Sequence, residues 1–221
     1  MSDSAKNKAD SANNGSAAAA GENGQKVKIW NVPNILTTMR VVMIIPFVIA
    51  LLGGNAGWFG ENTMVPNLVA LGIFVVACFT DLLDGKIARK YNLVTNFGKF
   101  MDPLADKVLV SSGLICMVAM TRIPAWVVIV ILAREFIISG FRLVASDAGI
   151  VIAASYWGKF KTTFQMILVV MSIVDIGAWL PGSSFAGGYN IAFLVVMYIA
   201  LALTVISLID YIVKNRKVIM Q

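Results

Sequence analysis

The sequence predicts an all-α integral membrane protein in which six transmembrane helices surround a polar cavity. Of its 221 residues 58% are hydrophobic and only 14% are charged, and the mean hydropathy is +0.80. This composition is typical of membrane proteins. Apolar stretches long enough to cross about 30 Å of hydrocarbon recur along the chain. Lys and Arg are unevenly distributed between these stretches, which indicates a fixed orientation in the membrane.

Six spans are predicted, and in chain order they cover about residues 33–52, 65–90, 97–121, 124–147, 155–178 and 189–213. The first is expected to stop at Gly53-Gly54, and the last is expected to start after a break that includes Gly187-Gly188. Spans one, two and six are apolar enough to be convincing alone. Spans three, four and five carry charged residues, so we expect them to line an interior cavity.

The spans divide the chain into three parts. Residues 1–27 are predicted to be a disordered polar tail, because they are rich in Ser, Asn, Ala, Gly and Lys and have no apolar core. Residues 28–215 form the membrane domain, and residues 216–221 form a short cytoplasmic tail.

Basic residues are concentrated on one side of the predicted membrane domain. The loops at 53–64 and 178–188 contain no Lys or Arg, and the turn near Arg122 contains one. By the positive-inside rule, both termini and the polar cavity face the cytoplasm of a multi-pass cell-membrane protein. The same distribution accounts for the net charge of +6, so no nucleic-acid partner is expected.

The chemistry available to the cavity is limited by composition. The chain has no His and only two Cys, which excludes Ser-His-Asp and Cys-His catalysis, His-based zinc sites and thiolate clusters. Cys78 and Cys116 lie in apolar stretches and are expected to be small buried residues.

Four aspartates stand at helical spacing where spans two and three approach the cytoplasmic side. They are Asp81, Asp84, Asp102 and Asp106. Residues three or four apart share a helix face, so the two pairs can face each other across an antiparallel helix pair. Clustered carboxylates in a membrane need a cation, and oxygen ligands favour Mg²⁺, Mn²⁺ or Ca²⁺. A site with two such ions is typical of phosphoryl transfer.

Small residues accompany the aspartates. Gly85, Ala88 and Gly98 would let a flat group lie against the helix backbones, and Arg89 is placed to meet a phosphate.

The spacing Asp81-x2-Asp84-Gly85-x2-Ala88-Arg89-x8-Gly98-x3-Asp102-x3-Asp106 resembles, position by position, the signature of the CDP-alcohol phosphatidyltransferase family. The resemblance covers nearly all of residues 30–215 and implies a six-helix homodimeric membrane enzyme. It also implies that the four aspartates bind two divalent ions, Mg²⁺ or Mn²⁺, and that Asp106 deprotonates the acceptor hydroxyl. The residues implied to bind the CDP-containing donor are Gly85, Ala88, Arg89, Thr95 and Gly98.

A second polar group, in spans four and five, predicts an anionic acceptor. Arg134 and Arg142 are about two turns apart and can face one cavity. Lys159 and Lys161 begin span five and add two cations. Forked Arg donors suit phosphate, and Glu135 is expected to orient one of the arginines.

This basic pattern and the segment 31–40 resemble the phosphatidylglycerophosphate synthase branch of the family. The resemblance implies transfer from CDP-diacylglycerol to sn-glycerol 3-phosphate with release of CMP. It places Asn34 and Thr37 at the donor and Arg40 at the acceptor phosphate. Cardiolipin synthases, which use phosphatidylglycerol as acceptor, stay an alternative because they share parts of the pattern. Relatives that use inositol phosphate share parts of it as well. A cation transporter is a further alternative, although its carboxylates would be spread across the membrane rather than clustered near one face.

Overall fold

The computed structural model of the protein describes residues 32–60, 62–90, 96–147, 156–180 and 182–219. Within these ranges the chain forms helices joined by turns, without β-strands. The helices are α1 (Val32–Asn55), α2 (Met64–Lys90), α3 (Asn96–Ala119), α4 (Ala125–Asp147), α5 (Tyr156–Ile173), α6 (Ile176–Trp179) and α7 (Ser184–Ile219). The prediction of an all-α fold is confirmed for this part of the chain.

Three of the described helices contain segments long and apolar enough to cross a membrane. These segments are Asn34–Asn55, Met64–Asp81 and Phe185–Arg216, and they correspond to the first, second and sixth predicted spans. Only 28%, 28% and 22% of their most apolar windows are buried inside the protein. Most of their apolar surface therefore faces outward, as lipid-facing surface does. The protein is a membrane protein, and membrane crossing by α3, α4 and α5 stays a prediction.

The helices form two packed groups. In the first group α1 contacts both α2 and α3 extensively, whereas α2 and α3 have few direct contacts with each other. In the second group α7 contacts α5 and α4. Phe47 of α1 and Phe74 of α2 pack with their ring centroids 5.9 Å apart, and both are buried. Helix α1 therefore holds the first group together.

Two predicted helix boundaries are wrong, and both involve glycine pairs. Gly53 and Gly54 lie inside α1, where a Cβ atom on Gly54 would stand 2.6 Å from Cβ of Pro66. Gly54 therefore serves the close approach of α2 rather than ending α1. Gly53 serves the close approach of Phe59 in the following turn, since a Cβ atom on Gly53 would stand 2.8 Å from Cε2 of Phe59. The last helix begins at Ser184 and includes Gly187-Gly188. Its start is determined by Ser183, whose hydroxyl oxygen accepts a hydrogen bond from the backbone N–H of Ala186 at 3.2 Å.

The fifth predicted span is interrupted. Helix α5 ends at Ile173, and the short helix α6 follows. Arg122, in the turn between α3 and α4, places Nη2 3.1 Å from Oδ2 of Asp175, and its Nη1 donates to the backbone carbonyl of Ser172. Burial lowers the pKa of the Arg122 guanidinium, and the Asp175 carboxylate opposes this shift. The interruption is therefore joined to the α3–α4 turn by charge and hydrogen bonding.

Candidate active site

Helix α1 buries three polar side chains along one face. Asn34, Thr37 and Arg40 are 3%, 0% and 1% exposed, and a spacing of three residues places them on the same side of the helix. Nη1 of Arg40 donates to Oδ1 of Asp81 at 2.7 Å, and the Thr37 hydroxyl donates to Oδ1 of Asp102 at 2.5 Å. Helix α1 therefore binds one aspartate from α2 and another from α3.

The structure describes the side chains of three of the four predicted aspartates. Asp106 lies within electrostatic reach of Asp81 and Arg40. Asp84 belongs to α2, but its side chain is outside the described part of the structure. Among the described side chains, no three His, Cys, Asp or Glu residues come close enough together to hold a metal ion. Helices α2 and α3 were predicted to face each other directly, but α1 connects their aspartates. The metal site formed by four carboxylates stays a prediction.

The residues implied to bind the donor are only partly visible. Gly98 is buried in the first turn of α3. Gly85, Ala88 and Arg89 belong to the last turns of α2, and the surroundings of their side chains are not described. Thr95 falls outside the described residues. Donor binding by these residues stays a prediction.

A cavity of about 90 Å³ lies between α3, α4 and α5. Its polar wall consists of Asp106, Lys107, Ser111, Glu135, Thr162 and Gln165. The residue predicted to act as the base and the helices predicted to bind the acceptor therefore line the same cavity.

Beside this cavity is a buried cluster of two cations and one carboxylate. The Lys161 side chain is fully buried, and its ammonium contacts Oε1 of Glu135. The same oxygen is 3.7 Å from Nη1 of Arg134, and Nε of Arg134 donates to the Ser207 hydroxyl of α7 at 3.0 Å. Glu135 thus lies near Arg134 and contacts Lys161 more closely, and its role in orienting an arginine stays a prediction. Two cations sharing one carboxylate leave a net positive charge, which suits an anionic ligand.

The other predicted acceptor ligands lie in different surroundings. Arg142 is exposed but is within electrostatic reach of Arg134 and Lys107. Lys159 is also exposed, and its Nζ stands 5.6 Å from the centroid of the Tyr156 ring, a cation–π contact. The structure therefore brings together Arg134 and Lys161, with Arg142 nearby, whereas Lys159 lies on the outside of α5 and Arg40 pairs with Asp81.

One protein-family model matches almost the whole of the described chain. The family model for CDP-alcohol phosphatidyltransferase matches residues 30–218. The chain belongs to this family. Membership makes the protein a transferase, and it agrees with the family resemblance of the aspartate signature.

Individual proteins are similar to this phosphatidyltransferase along most of their length. A CDP-diacylglycerol–glycerol-3-phosphate 3-phosphatidyltransferase from Bacillus subtilis (strain 168) is 41% identical over 192 residues, which cover 85% of this chain and 96% of the relative. A probable phosphatidylglycerophosphate synthase from Mycobacterium tuberculosis (strain ATCC 25618 / H37Rv) is 38% identical over 200 residues, covering 89% and 88%. A CDP-diacylglycerol–glycerol-3-phosphate 3-phosphatidyltransferase from Rickettsia typhi (strain ATCC VR-144 / Wilmington) is 38% identical over 181 residues, covering 82% and 94%.

Three polar residues of this phosphatidyltransferase were not predicted to belong to the site. Ser207 of α7 binds Arg134, and its spacing of three from buried Thr204 marks that face of the helix. Gln165 follows Lys161 by four residues, a spacing that could have indicated a shared face. Lys107 directly follows Asp106 in the sequence, and no spacing pattern distinguished it from the aspartate motif.

Proposed function

We propose that the protein transfers the phosphatidyl group of CDP-diacylglycerol to sn-glycerol 3-phosphate, giving phosphatidylglycerophosphate and CMP. The observation that carries the proposal is that Asp106 and Glu135, the partner of Lys161, line one cavity. A phosphorylated alcohol needs a base for its hydroxyl and cations for its phosphate. The names of the relatives from Bacillus subtilis and Rickettsia typhi specify the same two substrates.

Two divalent ions, Mg²⁺ or Mn²⁺, are proposed as cofactors. Hard oxygen donors fit these ions, and Asp81, Asp84, Asp102 and Asp106 would hold them. Bound there, the ions would neutralise the donor pyrophosphate and stabilise the departing CMP. The contacts of Asp81 with Arg40 and of Asp102 with Thr37 support the proposal, because they fix the directions of two carboxylates.

The transfer is proposed to be a direct displacement. Asp106 accepts the proton of the acceptor hydroxyl, and the oxygen attacks the phosphorus that carries the diacylglycerol group. The bond from this phosphorus to the CMP oxygen breaks, and CMP leaves with the bonding electrons. Asp106 then releases its proton to the cytoplasmic solvent. No His is present to take this role.

The acceptor phosphate is proposed to bind at the buried cluster. Arg134 and Lys161 supply charge close to the cavity, and Arg142 adds to it from the exposed side. Glu135 holds both buried cations in place and keeps them from repelling each other. Asn34 and Thr37, on the aspartate side of the bundle, are proposed to act at the donor.

The membrane arrangement proposed here has six crossing helices, with both termini and the active site in the cytoplasm, and a homodimeric assembly. The absence of Lys and Arg from the loops at 53–64 and 178–188 supports this orientation.

An acceptor panel tests the proposed function. The purified protein is given CDP-diacylglycerol and Mg²⁺ with glycerol 3-phosphate, phosphatidylglycerol, inositol phosphate, inositol or serine, and CMP release is measured. Release with glycerol 3-phosphate supports the proposal. Release with phosphatidylglycerol alone would identify a cardiolipin synthase instead, and no release with any of the five acceptors would contradict the proposed transfer.

Replacing Arg142 by Ala should weaken the use of glycerol 3-phosphate about 10- to 100-fold, because a charge-assisted phosphate contact contributes about 1.5–3 kcal/mol. Steady-state kinetics with each substrate varied in turn should place the effect on the acceptor constant. Lys214→Ala is the matched control, since Lys214 is exposed and pairs with Asp210. A change confined to the donor constant would contradict the assignment.

Single cysteines at Asn55 and Ser183, in a protein lacking Cys78 and Cys116, should react with an impermeant thiol reagent added to intact cells. Both positions border the loops that lack Lys and Arg. Arg216→Cys, at the basic end of α7, should be labelled only after the membrane is opened. The reverse pattern would overturn the proposed orientation.

A further inference from the structure

The residues that line the 90 Å³ cavity include Gln165, whose acceptor oxygen is buried and not satisfied. Gln165 of α5 is only 4% exposed, and its Oε1 has no hydrogen-bond partner among the described residues. By contrast, Glu135 contacts Lys161, and the Thr162 hydroxyl donates to the carbonyl of Lys159 at 2.8 Å. Buried side-chain oxygens are nearly always hydrogen-bonded, so this one indicates a missing donor.

The position of Gln165 in α5 points toward the reaction. The buried face of α5 consists of Lys161, Gln165, Leu168, Val169, Ser172 and Ile173. Its two residues nearest the start of the helix are polar, and Leu168 and Val169 follow. An apolar side chain at 165 would continue this face without an unsatisfied oxygen. The polar amide stands instead in a wall that also contains Asp106 and Glu135.

We propose that Gln165 binds the hydroxyl of the acceptor that does not attack, and so selects a vicinal diol. This inference rests on the proposed function. The cavity is small, with a volume of about 90 Å³, which suits a short polyol. With the phosphate at Arg134 and Lys161 and the attacking hydroxyl at Asp106, the secondary hydroxyl of glycerol 3-phosphate is the remaining donor. Oε1 of Gln165 accepts its hydrogen bond.

The test compares glycerol 3-phosphate with 3-hydroxypropyl phosphate, which lacks the secondary hydroxyl. The wild-type protein should prefer glycerol 3-phosphate by at least about 10-fold in kcat/KM, since a site that hydrogen-bonds a hydroxyl discriminates against the analogue lacking it. Gln165→Met, which keeps the length and removes the amide, should bring the ratio of the two acceptors close to one. Thr163→Val, on the exposed side of the same turn, should keep the wild-type ratio. An unchanged ratio in Gln165→Met would overturn the inference.

Further measurements separate this role from others. If Gln165 binds substrate rather than protein, Gln165→Met should unfold at a temperature no lower than the wild-type protein. A lower unfolding temperature with unchanged selectivity would assign Gln165 a structural role and reject the proposal. If that variant does not fold, Gln165→Asn keeps an amide but withdraws it by one methylene and should also reduce the preference. Absence of CMP release from the wild-type protein with glycerol 3-phosphate would reject the proposed function itself.

Discussion

Replacing Asp106 by Asn should reduce turnover about 10²- to 10⁴-fold, which is the range that general-base catalysis contributes. An amide cannot accept the hydroxyl proton, and the cavity beside Asp106 contains no His to replace it. The shape of the side chain is kept, so CDP-diacylglycerol should still bind. CMP release and donor binding, measured separately on the same preparation, test both statements.

Two comparisons sharpen this experiment. Asp81→Asn and Asp102→Asn should weaken donor binding and raise the Mg²⁺ requirement together, because these residues are proposed to hold ions without acting as the base. Asp210→Asn removes an acidic residue that pairs with Lys214 on α7, and it should leave turnover unchanged. Near-normal turnover by Asp106→Asn would show that another group accepts the proton.

Replacing Glu135 by Gln should cost about 3–5 kcal/mol of stability, the usual effect of removing one partner from a buried ion pair. Lys161 is fully buried against Glu135, and the substitution would leave its charge without a carboxylate. Adding Lys161→Met to the Glu135→Gln protein should recover most of this loss. Unfolding in detergent, followed by helix content, measures the three variants against the wild-type protein.

Activity separates stability from function in the same set of variants. The double variant should be folded but use glycerol 3-phosphate poorly, because Arg134 is then the one cation left in the cluster around residue 135. Lys214→Ala, which removes the exposed partner of Asp210, should change stability by about 0.5 kcal/mol or less. If Lys161→Met alone kept normal acceptor kinetics, Lys161 would serve only to balance Glu135.

The sequence predicted features that depend on local pattern. Hydropathy identified the three most apolar spans, and the spacing of the aspartates predicted the family that the comparison shows. The pair Gly53-Gly54 led to a wrong helix boundary, because Gly54 is needed for contact with Pro66 on a neighbouring helix. The sequence alone does not distinguish a glycine that ends a helix from one that allows a neighbouring helix to pack closely.

Contacts between distant helices could not be predicted from periodicity. The partners of Asp81 and Asp102 lie in α1, 41 and 65 residues away along the chain. The grouping of cations was predicted from spacing alone, and that method could not show that Lys159 turns outward while Lys161 turns inward. Each direction depends on which helix occupies the neighbouring space.

The pairing of Arg40 with Asp81 has a consequence for how the protein is made. Arg40 lies in the membrane segment Asn34–Asn55, and Asp81 ends the segment Met64–Asp81. During synthesis the arginine leaves the ribosome first, and inserting it alone would cost up to about 2.5–3.5 kcal/mol. Insertion of the first two helices as a hairpin would bring the two charges into the bilayer together as a neutral pair. The ion pair that positions a carboxylate in the mature enzyme therefore also favours joint insertion of the nascent chain's first two helices.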